Sequence, residues 1–162
     1  MLIDTHSHIY LPEFDAGRAE MLHAAADKGI GTIYMPAIDS TTHAQMLSVE
    51  AQFSQCIAMM GLHPCSVNEK YEAELALVES YLQQRPFAAV GEIGLDFYWD
   101  VTFKQQQYAA FEKQIDWALQ YDLPIVIHSR NAIDECIEVV QNYKGLRGIF
   151  HCFSGTEEQA AE

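Results

Sequence analysis

Positive charge is what this sequence has least of: 9 Lys and Arg stand against 23 Asp and Glu, a formal net charge of -14 over 162 residues. Such a surface repels phosphate backbones at long range, which excludes avid, non-specific nucleic-acid binding and leaves any phosphate substrate to metals or a few placed cations. No stretch approaches the run of about 18 apolar residues that a membrane span needs, and the opening MLIDTHSHIY lacks the basic flank and apolar segment of a secretory signal. No membrane partner and a cytoplasmic location are therefore expected. The four cysteines, Cys56, Cys65, Cys136 and Cys152, contain no CxxC spacing and no small secreted framework, and they read as reduced thiols. Linkers, low-complexity tracts and strong repeats are absent as well. With 49% hydrophobic residues, the chain reads as one domain, 1–162, with a sizeable core.

What is present is an alternation. Short apolar runs at Leu2 to His6, Thr32 to Ala37, Ile57 to His63, Ala88 to Ile93, Ile125 to His128 and Ile149 to Cys152 have little polar interleaving, as strands buried on both faces do. Between them, apolar residues recur at helical spacing, as at Leu75, Val78 and Leu82 or Phe111, Ile115 and Leu119. Gly29 and Gly145 stand where helices would stop in the left-handed conformation, and the Ser154 to Glu157 spacing suggests a capping box opening a last helix. Strand, helix, strand, repeated six times, implies a parallel sheet with right-handed crossovers. Polar residues close five of the strands, a layout that suits the mouth of a TIM-type (β/α)8 barrel better than the single crevice of an open sheet. A whole barrel usually takes about 250 residues, so the expectation is an α/β barrel truncated to about six βα units, its remainder supplied by a missing C-terminal portion or an oligomer partner.

The strand-end residues carry the chemistry. His6 and His8 are spaced by two, so on an extended strand both face one side and can share a metal; Asp4 has the same parity and could orient an imidazole. Glu92 sits inside an apolar strand, where a lone carboxylate would cost several kcal/mol. A metal removes that difficulty, and its two oxygens could bridge two ions about 3.5 to 4 Å apart. The alternative for Glu92 is an Arg partner or backbone amides. His128 and His151 are each the first polar residue after a buried run; singly, each could be a core histidine. His63 could touch a substrate phosphate or leaving group. Arg130 could hold a phosphate oxygen or pair with Asp134. The run Phe97, Tyr98 and Trp99 could stack on bases of a single strand or pack locally. His23 and His43 fall on helices as bystanders.

Taken together, DTHSH, GLHP, GEIGLD, IHSR and HCFSG, in this order and spanning the chain, resemble the TatD family of metal-dependent deoxyribonucleases within the amidohydrolase-type barrels. The resemblance implies a metal-dependent hydrolase that cleaves phosphodiester bonds in DNA. It implies one ion on His6 and His8, a bridging Glu92, and a second ion on His128 and His151. It also implies an aspartate at the end of the last strand, which these residues do not include, so weakened metal binding and low hydrolysis are expected. The two ions would be Mg, Mn or Zn: the ligand types suit zinc or manganese, and the resemblance implies magnesium. A rival reading is an amidohydrolase cleaving a small cyclic amide, ester or lactone. Many of these bridge their metals with a modified lysine at the fourth strand, and no Lys lies between Ala88 and Asp100. A third reading is an inactive metal-binding fragment. The acidic surface favours short, transient contact with a strand end over tracking along duplex DNA.

Overall fold

The computed structural model describes residues 1–162 as six strands alternating with six helices. In chain order these are β1 (Leu2–Asp4), α1 (Arg18–Asp27), β2 (Ile30–Pro36), α2 (Ser40–Gln52), β3 (Cys56–Met59), α3 (Tyr71–Gln84), β4 (Val90–Asp96), α4 (Lys104–Gln120), β5 (Ile125–Arg130), α5 (Ile133–Val140), β6 (Gly148–Phe150) and α6 (Glu157–Ala160). Each apolar run of the sequence becomes a strand.

All strand pairs are parallel and neighbours follow chain order: β1-β2-β3 in one sheet and β4-β5-β6 in another, joined through a single bridge between Met60 and Val90. An open doubly wound sheet reverses its order at a switch point. Here the order runs one way throughout, which is the wall of a TIM-type (β/α) barrel.

The helices cover the outer face. Leu75, Val78 and Leu82 of α3 and Phe111 and Ile115 of α4 bury their side chains with Ile93 and Leu95 of β4 in the main core. Every residue of β4 is buried, and that strand forms the centre of the molecule. The inner face holds a smaller cluster of Met59, Ala89 and Val126. It borders an apolar cavity of about 300 Å³ lined by Tyr34, Met59, Val126 and Ile149, with no carboxylate, imidazole or thiol. The end strands, β1 and β6, expose Leu2, Ile3 and Ile149.

Two glycines fix backbone that other residues resist. Gly29, at φ 88°, stops α1 in the left-handed region, with its amide donating to the Ala26 carbonyl. Gly94, at φ 135°, pairs with His128 across the β4–β5 ladder so closely that a Cβ would lie 2.1 Å from the His128 carbonyl oxygen.

Strand ends shift by one to four residues from the sequence expectation, and two local differences have a clear cause. The third strand ends at Met59 rather than at His63, because Pro64–Ser66 turns into a 3₁₀ helix capped by the His63 ring. The last helix is capped by Thr156 rather than Ser154. The Thr156 side chain accepts from the Gln159 amide while the Gln159 side chain accepts from the Thr156 amide, and Ser154 lies two residues too early to reach.

Candidate metal centre

The strand ends meet at one cleft of about 440 Å³. His6, His8, His63, Glu92, His128, Arg130 and His151 all line it, along with Ser129, Cys152 and Ser154. The residues singled out in the sequence as ligands, together with His63 and Arg130, thus come together from β4, β5 and the segments that follow β1, β3 and β6. His23 and His43 do not line it.

Glu92 is the hub. Its side chain is 3% exposed, and every basic group within reach is an imidazole. Oε2 faces Nε2 of His6 at 3.1 Å and Nε2 of His8 at 3.8 Å. Oε1 accepts a hydrogen bond from Nδ1 of His128 at 3.0 Å and faces Nε2 of His63 at 3.8 Å. Burial alone would push the carboxyl group up, but the His128 hydrogen bond and the close His6 ring outweigh it and hold Glu92 well below the usual carboxylate range. No Arg or Lys compensates this charge, contrary to the alternative considered for Glu92.

His151 lies against His6 rather than His128: the two rings stack at 3.4 Å between centroids and 10° between planes. Donor atoms of His6, Glu92 and His151 fall within 4.8 Å of one another, as do those of His63, Cys65 and His128.

Hydrogen-bond logic fixes which nitrogens are free. The Tyr10 hydroxyl has one proton and gives it to the Pro36 carbonyl at 2.7 Å, so its contact with His8 Nδ1 at 2.9 Å must be donated by the ring. Neutral His8 therefore turns an unprotonated Nε2 toward Glu92, the state a metal ligand requires. His63 is the reverse. Its Nδ1 accepts from the Cys65 amide at 3.1 Å, so the proton is on Nε2 and the ring is a donor toward the cleft. Burial pushes His63 down to about 4, keeping it neutral. Burial likewise lowers His8 and His151, each aided by the nearby His6. His128 behaves differently. Burial opposes its charge, but its ring donates to Glu92 and, through Nε2 at 2.8 Å, to Asp96, and these bonds raise it. His6 keeps a buried Nδ1 with no partner.

These features fit a divalent cation. A buried carboxylate is ringed by imidazoles, burial lowers the proton affinity of His8, His63 and His151 among them, and His8 already presents a bare nitrogen toward the carboxylate.

Several site residues were not recognised from the sequence. Asp96, 1% exposed, accepts from His128 and the Cys65 thiol through Oδ2, and from the Tyr98 and Trp99 amides through Oδ1. Its even spacing from Glu92 along β4 was the available signal. Gln107 and Gln114, buried on α4, bridge to the backbone of Asp96 and of Leu62, so that helix carries polar groups inward to hold the site loops. Tyr10 fixes the His8 tautomer. Asp4 bonds the His6 amide at 3.1 Å rather than an imidazole. Arg130 has no carboxylate partner, since Asp134 accepts from Gln159 instead; its guanidinium lies 4.1 Å above the Tyr98 ring.

Residues 3–162 match the family described as TatD related DNase. An uncharacterised metal-dependent hydrolase of Bacillus subtilis, YabD, is 30% identical across 100% of this chain and 64% of its own length. The 3'-5' ssDNA/RNA exonuclease TatD of Pantoea vagans is 28% identical across 98% of this chain and 62% of its own. The crystal structure of YjjV, a TatD homologue from Escherichia coli, superposes with a TM-score of 0.92 at 33% identity, covering 99% of this chain and 63% of that one. The chain thus spans less than two thirds of the length of these relatives. No helix is long and apolar enough to cross a membrane.

Proposed function

Because the chain belongs to the family of TatD-related DNases, we propose that its cleft is a two-cation site for hydrolysing phosphodiester bonds at the end of a nucleic-acid strand. The observation that carries this reading is Glu92, a buried carboxylate whose two oxygens face separate pairs of imidazoles, His6 with His8 and His128 with His63. His6, His8 and His151 would hold a cation on the Oε2 side. His128 would hold a second on the Oε1 side after giving up its bond to Glu92. Divalent cations bound there supply charge neutralisation and water activation.

The remaining residues position and stabilise. Phosphoryl transfer asks the protein chiefly for placement and for groups that meet developing negative charge. His63 offers a neutral Nε2–H into the cleft, suited to a phosphate or leaving-group oxygen. Arg130, unpaired at the rim, offers a planar fork to a second phosphate oxygen. Asp96 holds the His128 ring in place. The cleft lining contains no lysine, so the modified-lysine bridge of a cyclic-amide hydrolase has no candidate residue here. The name of the Pantoea relative, a 3'-5' ssDNA/RNA exonuclease, supports the phosphodiester reading.

End-labelled single strands incubated with magnesium or manganese test it. Shortening of the strand that depends on added metal, and falls at least about 100-fold in Glu92→Ala, is expected for loss of a principal electrostatic group. Cleavage that survives Glu92→Ala would mean that the chemistry lies elsewhere.

A further inference from the structure

We propose that Tyr98, Trp99 and Arg130 form a nucleobase-binding platform at the rim of the cleft, selecting single-stranded nucleic acid by base stacking. The proposal rests on the reading of the cleft as a phosphodiester site and adds how the strand beside it is gripped.

Three aromatic residues follow Asp96, and they divide by role. Phe97 packs against the main core. Tyr98 and Trp99 do not; they are 52% and 68% exposed, with rings 4.8 Å apart at 87°. Local packing, the ordinary explanation for loop aromatics, thus accounts for the first residue and leaves the other two in solvent.

The loop is fixed before any ligand arrives. The Tyr98 and Trp99 amides both donate to Asp96 Oδ1, at 3.0 and 3.2 Å, and the Phe97 amide donates to the Arg130 carbonyl at 2.9 Å. An exposed aromatic on a held backbone presents a flat face at little entropic cost to binding.

Charge points to the same ligand. Arg18, Arg85 and Arg147 each pair with a carboxylate, whereas Arg130 pairs with none. Its guanidinium lies 4.1 Å from the Tyr98 ring and 5.3 Å from the Trp99 ring while lining the cleft. Lys104, also without a carboxylate, sits 4.0 Å above Phe97. In a chain of net charge -14, a guanidinium with no carboxylate partner, set between two exposed rings and the cleft, is a local anion-and-base site of the kind that tracks single strands. A base paired within a duplex keeps its faces stacked on its neighbours, so the platform favours unpaired ends.

Binding of dT6 and of the corresponding abasic hexamer, both phosphorothioate-linked to slow turnover, is measured by fluorescence anisotropy with magnesium present. The wild-type chain should bind dT6 at least about fivefold more tightly, the lower bound for stacking one base on an aromatic residue. Tryptophan emission should fall on adding dT6 and not the abasic strand, because Trp117 is buried and bonded to Glu79. Trp99→Leu should erase the discrimination, and Trp99→Phe should retain part of it. Equal binding of the two strands by the wild type, discrimination that survives Trp99→Leu, or no binding of either strand would overturn the proposal. Base discrimination without hydrolysis of phosphodiester-linked dT6 would support the platform and count against the nuclease reading alone.

Discussion

Replacing Gly94 by alanine should damage both the fold and the site, and the structure sets the size of the effect. The new Cβ would lie 2.1 Å from the His128 carbonyl oxygen, a backbone atom of the paired strand that cannot rotate away. The φ of 135° is in addition one that L residues rarely adopt. Backbone strain of about 1–3 kcal/mol and overpacking of about 1–3 kcal/mol together give about 2–6 kcal/mol. A domain stability of about 5–15 kcal/mol leaves little margin for such a loss. Gly29→Ala is the matched control: its φ is 88°, but nothing lies within 4 Å of an added Cβ, so only the conformational cost of about 1–2 kcal/mol applies. Urea unfolding of the two variants separates steric from conformational cost. Gly94→Ala should lose at least about 1 kcal/mol more than Gly29→Ala, the lower bound of the overpacking cost; equal losses would refute the claim that β4 and β5 meet this closely beside His128.

Two further outcomes follow from the charge arrangement of the metal-free protein. Asp96→Asn keeps an oxygen for the Tyr98 and Trp99 amides but removes the charge beside His128, so the His128 resonance in a proton NMR titration should move at lower pH than in the wild type; an unchanged titration would remove Asp96 from its positioning role. His43 is 2% exposed, neither ring nitrogen makes a well-formed hydrogen bond, and burial lowers its proton affinity below the usual 6.5 despite Glu74, the Gly61 backbone and Asp39 nearby. The unfolded chain therefore takes up this proton first as the solution is acidified: the group costs nothing above pH 6.5, and stability falls as pH drops below it toward the lowered folded value. His43→Leu should flatten the fall in urea midpoint between about pH 7.5 and 5.5 and leave the neutral-pH midpoint unchanged or higher, whereas an identical pH profile would show that His43 finds a partner when protonated.

The strands were readable from the sequence because strands buried on both faces are written as apolar runs, and His6, His8, Glu92, His128 and His151 stood out as polar exceptions at their ends. Which of these touch which was not readable. Stacking of His151 on His6 depends on β1 and β6 approaching across the barrel mouth, a contact between residues far apart in the chain. The boundary at His63 depended on a ring that caps its own following turn, a local bond that competes with strand extension. Gln107 and Gln114 were hidden for another reason: hydrophobic periodicity scores glutamine as solvent-facing, yet both are buried on α4, with their amides bonded to strand-end backbone. Asp96 was visible within GEIGLD, but its partners, His128 and the thiol of Cys65, come from other strand ends.

Glu92 and the surrounding imidazoles are proposed to hold divalent cations in the cleft. Equilibrium dialysis against zinc or manganese, followed by elemental analysis of the wild type, His6→Ala and Glu92→Gln, tests this most directly. The wild-type chain should retain metal and both variants should lose it, with binding falling at least about tenfold. No bound metal in the wild type, or equal content in all three proteins, would contradict it.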